Sequence, residues 1–102
     1  MAKIELIVTR TPSELGKALG LSNADVIEME TRRALASKII QAVDELGLTH
    51  ARVAKLSGTA RSRVTAIVNH NISGVSTDLL LRVLASLGYR ANITFRRVPK
   101  AA

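Results

Sequence analysis

Cysteine is absent from the 102 residues, which excludes a disulfide framework, a thiolate metal site and a cysteine nucleophile. The absence fits a reducing compartment, and the cytoplasm is the expected location. Tryptophan is also absent, and Tyr89 and Phe95 are the only aromatic residues. Modules that bind single-stranded nucleic acid stack bases on exposed rings, and two rings make a poor platform for that. No long apolar run occurs. The opening stretch from Met1 to Val8 is too short for a signal peptide, and no segment is expected to span a bilayer. What remains is 47% hydrophobic residues, mostly Ala, Leu, Val and Ile. Such an aliphatic stock suits one small domain of packed helices.

Acidic residues are scarce in one half. Residues 1–45 carry six basic and seven acidic side chains, a net −1, whereas residues 46–102 carry nine basic and one acidic, a net +8. No carboxylate lies between Glu45 and Asp78. A one-signed half of a small domain is the electrostatic footprint of a polyanion partner, nucleic acid first among them.

Residues 3–9 are rich in β-branched side chains that roughly alternate, which predicts a short strand. The stretch Arg10-Thr11-Pro12-Ser13 then breaks the chain, and Ser13 caps a short helix ending near Gly20. Ser22 or Asn23 caps a long helix over about 24–46, on which Leu35, Ile39, Val43 and Leu46 form an apolar stripe. Gly47 ends it as a left-handed cap. Thr49 caps the next helix, with Leu48 and Val53 spaced for a hydrophobic staple, and Gly58 ends it. A third helix covers about 60–70, with Thr59 as its candidate cap. Ser76 caps a fourth, with Val75 and Leu80 as its staple, carrying Leu79, Leu80, Val83, Leu84 and Leu87 as far as Gly88. From there the period changes to two. Tyr89, Ala91, Ile93 and Phe95 alternate with Arg90, Asn92, Thr94 and Arg96, which predicts an amphipathic strand over 89–97.

The stretch Thr49–Asn69 carries the chemistry. Two short helices crossing steeply need a small residue where their backbones approach, and Ala54 stands there. The turn needs a residue tolerant of positive φ, and Gly58 supplies it. Val64 is the apolar anchor on the second helix, and Val53, Leu56, Ile67 and Val68 complete a small core. On a wheel of 100° per residue from Arg61, Ser62, Thr65, Ala66 and Asn69 fall within an arc of roughly 140°. Val64, Ile67 and Val68 occupy the opposite side. Short polar side chains with an arginine at the N-terminal end are what a helix needs to enter a major groove. Arg61 suits a bidentate contact to guanine, Ser62 and Asn69 a base or phosphate, and the methyl groups of Thr65 and Ala66 a thymine. Arg63, near the edge of the arc, suits phosphate, as do Arg52 and Lys55. Taken alone, these charges would read as a solvated face; the helix-turn-helix frame directs them to DNA. Thr49 and Thr59 serve as caps or phosphate ligands, and Asn69, His70 and Asn71 end the helix or reach the backbone.

At these residues the chain resembles the Xre-type helix-turn-helix family, the group of phage Cro and lambda repressor, over about 34–88. Within that group it is most similar to small antitoxin-like regulators related to HigA. That likeness rests on the opening Leu15-Gly-Lys-Ala-Leu-Gly-Leu, the Leu48-Thr49 pair and the closing Leu87-Gly-Tyr, and extends over about 13–97. The resemblance implies a dimeric regulator that binds a palindromic operator, often paired with a RelE-like or HigB-like ribonuclease toxin that it neutralises. The family places Gln at the start of the first motif helix as a phosphate contact; here that position is His50, which can donate the same bond. A RelE-like toxin is basic, so the acidic Glu5, Glu14, Asp25, Glu28 and Glu30 offer it a surface that the basic half does not.

Enzymatic readings find no support. His50 and His70 lack a third partner for a metal. Ser57-Gly58-Thr59 lacks the lysine and spacing of a phosphate-binding loop. Glu28 and Glu30 point roughly 200° apart on a helix and are no catalytic pair. No enzyme activity, cofactor or metal is expected. The expected fold is all-α, an Xre-type domain of four to five helices with short terminal β-strands. It divides into an N-terminal extension over 1–33, the helix-turn-helix domain over 34–88, and a C-terminal strand and tail over 89–102. The strand must pair with residues 3–9 or with a second copy, and pairing across a two-fold axis would build a homodimer. Three functions compete: an autorepressing antitoxin, a plain repressor without a toxin, and an interaction module that has lost DNA binding. Arg61, Ser62, Arg63 and Asn69 speak against the third.

Overall fold

The computed structural model describes residues 23–97. Four helices follow one another: α1 over Asn23–Leu46, α2 over His50–Ser57, α3 over Arg61–Val68 and α4 over Thr77–Ser86. No strand is formed among the described residues, so the fold is all-α. The strand and short helix expected within 3–20 lie outside the described residues.

Helix boundaries follow local chemistry. The Thr49 hydroxyl accepts from the Arg52 backbone N–H at 3.1 Å, and the Ser76 hydroxyl accepts from that of Leu79 at 3.2 Å. Each fills one of the amide donors that a helix start leaves open. Both expected staple pairs pack on the core, with Leu48 partly buried against the cluster that holds Val53 and Val75 and Leu80 almost fully enclosed. The start of α3 differs from expectation. Ala60 is its N-cap and provides no side-chain bond. Thr59 instead lies in the turn, where its backbone N–H donates to the Ala54 carbonyl at 3.1 Å.

All four helices end in the same closed turn, in which the N–H just after a left-handed residue reaches back to a carbonyl of the last helical turn. The pairs are Leu48 to Val43, Thr59 to Ala54, Asn71 to Ala66 and Tyr89 to Leu84. The turn needs a left-handed residue. Glycines 47, 58 and 88 provide it three times, but at α3 the residue is His70, at φ 58°. An L side chain there costs about 1–2 kcal/mol.

The core is one aliphatic cluster. Leu35, Ala36, Ile39, Ala42 and Val43 of α1 meet Val53 of α2, Val64 and Ile67 of α3, and Leu80, Val83 and Leu84 of α4. Each fully buried Leu or Ile contributes about 1.5–3 kcal/mol over an exposed one. Two expected core members are outside it. Leu46 is 52% exposed, because the turn at Gly47 reverses the chain and Leu48 packs on the cluster in its place. Leu56 is 43% exposed. Ser57 takes the buried position one turn after Val53 and satisfies its hydroxyl by donating to the Val53 carbonyl at 2.8 Å.

The segment after α4 divides in two. Tyr89 and Ala91 pack against the core, and the Lys38 ammonium sits 4.9 Å from the centre of the Tyr89 ring. Ile93 and Phe95 point away, Phe95 at 88% exposure. The strand expected over 89–97 is therefore not formed among the described residues. A strand is held by a neighbouring backbone, and no described segment runs beside this one.

Candidate nucleic-acid interface

Helices α2 and α3 pack on each other across the turn at Gly58. That turn is tight because Gly58 stands at φ 70°, and Ala54 packs against the core just before it. Val64 and Ile67 are fully enclosed, which fixes the rotation of α3 about its axis. The opposite face is therefore outward: Arg61, Ser62 and Asn69 are exposed, and Thr65 and Ala66 are half-buried. All five expected base-reading residues lie on this one face.

The expected backbone-contacting residues surround it. Arg52 and Lys55 of α2 are exposed, and α2 carries no acidic residue in its first turn. The Thr49 hydroxyl is engaged as the α2 cap, and Thr59 is half-buried in the turn. Arg63 reaches across to the loop after α3, donating from Nη1 to the Gly74 carbonyl at 3.3 Å. Asn71 is exposed in that loop, immediately past the left-handed His70.

Two residues expected to act separately are joined. The Nδ1 of His50 and the Oγ1 of Thr65 lie 3.0 Å apart, within hydrogen-bond distance. The link runs from the first residue of α2 to the middle of α3, so the two motif helices are braced by a polar contact as well as by Val53 and Val64. The Thr65 hydroxyl turns toward α2.

Three of the five acidic residues expected on the N-terminal extension are described. Asp25 and Glu28 are exposed, but the Oε2 of Glu30 is buried without a hydrogen-bond partner; Glu5 and Glu14 lie outside the described residues. Two arginines that the sequence reading did not single out, Arg32 and Arg33, share a cleft with the loop after α3. They are remote from that loop in sequence, so no local signal marks them. Among the described residues no three His, Asp or Glu side chains gather as a metal site would require. No helix there is long and apolar enough to cross a membrane.

The family described as "Helix-turn-helix domain" matches residues 12–96. A solved structure provisionally named as an XRE family transcriptional regulator superposes with a TM-score of 0.64 at 28% identity. The alignment covers 74% of this chain and 86% of the other. No curated protein matches the chain.

Proposed function

This chain belongs to the helix-turn-helix domain family, and from that premise we propose that it is a transcriptional regulator that reads double-stranded DNA with α3 in the major groove. The observation that carries the reading is the outward face of α3, short and polar with Arg61 at its start, held in orientation by the buried Val64 and Ile67. Arg61, Ser62, Thr65, Ala66 and Asn69 contact bases. Thr49, Arg52, Lys55, Thr59, Arg63 and Asn71 contact the phosphate backbone, and His50 acts chiefly by holding Thr65. The net +8 of residues 46–102 supplies the sequence-independent attraction. Selection from a random duplex library should enrich one motif. Recovery of no motif would remove sequence-specific recognition.

The active form is a homodimer on a palindromic operator, where it represses transcription. The exposed Ile93 and Phe95 after α4 support this, since alternating apolar residues left uncovered by the other described residues suit pairing with a second copy. A narrower reading adds toxin neutralisation. It is supported by the exposed Asp25 and Glu28 and the 39% exposed Ile27 on the first turns of α1, away from the basic half. Co-expression with the product of a neighbouring gene tests it. Rescue of growth and co-purification are expected, and a neighbour that is not toxic removes the antitoxin role while leaving DNA binding intact.

A further inference from the structure

A cleft of about 650 Å³ opens between the N-terminal half of α1 and the loop that follows α3. Its polar lining is Arg32, Arg33 and Ser37 on one side and His70, Asn71 and Ser73 on the other, with no carboxylate among the described residues that line it. The volume falls in the range of small-ligand sites. We propose that this cleft is an oxyanion site that takes a phosphate group.

Three observations converge on it. First, Arg32 is under-used. Its Nη1 makes one long bond, to the Val75 carbonyl at 3.4 Å, and its Nε is buried without a partner. A guanidinium is a planar fork of donors that matches the oxygens of a phosphate, so the terminal nitrogens of Arg32, beside a second arginine, suit one. Second, the lip of the cleft is strained. His70 is the only non-glycine residue at positive φ among the described residues, whereas the other three helices place glycine at the equivalent point. Backbone strain of this kind persists where the residue serves a site, and here it sets an imidazole and the following Asn71 at the cleft. Third, the arginines are not there to cap α3. The carbonyls of Ala66 and Ile67 already accept from the Asn71 and His70 backbone N–H groups, at 2.8 and 3.0 Å. The last-turn carbonyls of Ala66 and Ile67 are therefore engaged without the arginines.

The phosphate can come from the DNA backbone or from a soluble phosphorylated ligand. Asn71 borders both the cleft and the α3 surface, so a duplex seated on α3 has a path to it. Two measurements on the full chain separate the sources. Thermal unfolding without DNA reads binding of inorganic pyrophosphate. Titration of a duplex over a salt series reads the backbone contact. Arg32→Gln/Arg33→Gln is the test variant, and Arg33→Gln alone, at an exposed position of α1, is the variant that cannot unfold the core.

A soluble ligand predicts that millimolar pyrophosphate raises the Tm by a few degrees and that both variants lose most of the shift. A backbone phosphate predicts no such shift, with a log–log salt slope about 1 shallower in the variants. Either result supports the site. A pyrophosphate shift that survives in the variants overturns it, as does the absence of a shift together with an unchanged salt slope. The pyrophosphate measurement needs no DNA, so its outcome stands apart from that of the DNA-binding reading.

Discussion

His50 and Thr65, fifteen residues apart in sequence, meet at 3.0 Å and tie the start of α2 to the exposed face of α3. A buried or half-buried hydrogen bond between side chains contributes about 0.5–1.5 kcal/mol net. A double-mutant cycle with His50→Ala and Thr65→Val should therefore return a coupling of that size in urea unfolding. Additive losses would mean that the two side chains do not act together.

The same contact predicts how Thr65 reads DNA. With its hydroxyl held by His50, its methyl is the group left to meet a thymine. Thr65→Val keeps that methyl and should preserve base preference at the contacted position. Thr65→Ser keeps the hydroxyl and should lower discrimination there by about 1 kcal/mol. Binding to a panel of operators substituted at one base pair distinguishes the two, and the reverse ranking would assign the reading to the hydroxyl.

His70 holds a backbone conformation that glycine adopts without cost. His70→Gly should stabilise the fold by about 0.5–1 kcal/mol, the relief of the left-handed penalty less the extra freedom glycine gives the unfolded chain. Chemical denaturation at constant m-value checks this. A loss of stability would mean that the imidazole makes a contact worth more than the strain.

Leu35 and Leu46 share one stripe in the sequence and opposite fates in the fold, one 2% and the other 52% exposed. Leu35→Ala should cost about 2–5 kcal/mol by leaving a cavity among α1, α3 and α4. Leu46→Ala should change stability by less than about 0.5 kcal/mol. Comparable losses would place Leu46 in an interface with another chain.

The contrast between those leucines shows what was legible in the sequence. The caps at Thr49 and Ser76, the staples beside them and the glycine-ended helices are decided within a few residues, so their signals are local. The outward face of α3 was also legible, because Val64 and Ile67 fix the helix rotation by periodicity alone. Helical periodicity does not reveal where a stripe outruns its neighbours, which is why Leu46 and Leu56 read as core. The α3 start was misplaced by one residue because Thr59 is a good cap by composition, while the turn's reach-back bond to Ala54 needs it one step earlier. The His50–Thr65 pair and the cleft at Arg32 and Arg33 are tertiary, and nothing in the spacing of these residues announces them.

An operator read by two copies requires a two-fold interface, and the described core offers few apolar groups to build one. Tyr89 and Ala91 are already committed to the core of their own chain. Ile93 and Phe95 are not, and Phe95 at 88% exposure is the largest hydrophobic group left in solvent among the described residues. If residues 92–97 pair with the same segment of a second chain, both side chains enter the interface and the backbone gains the ladder it lacks alone. Phe95→Glu would then set two carboxylates against each other across the axis. The variant should run as a monomer in sedimentation at micromolar concentration, with the helical signal unchanged. Its affinity for a full palindrome should drop to near that for a half-site, while half-site binding stays as it was. Half-site spacing in the selected motif should be about 10 base pairs or a multiple. A Phe95→Glu protein that stays dimeric would move the interface elsewhere on the surface, with the exposed Leu46 and Leu56 as the next positions to test.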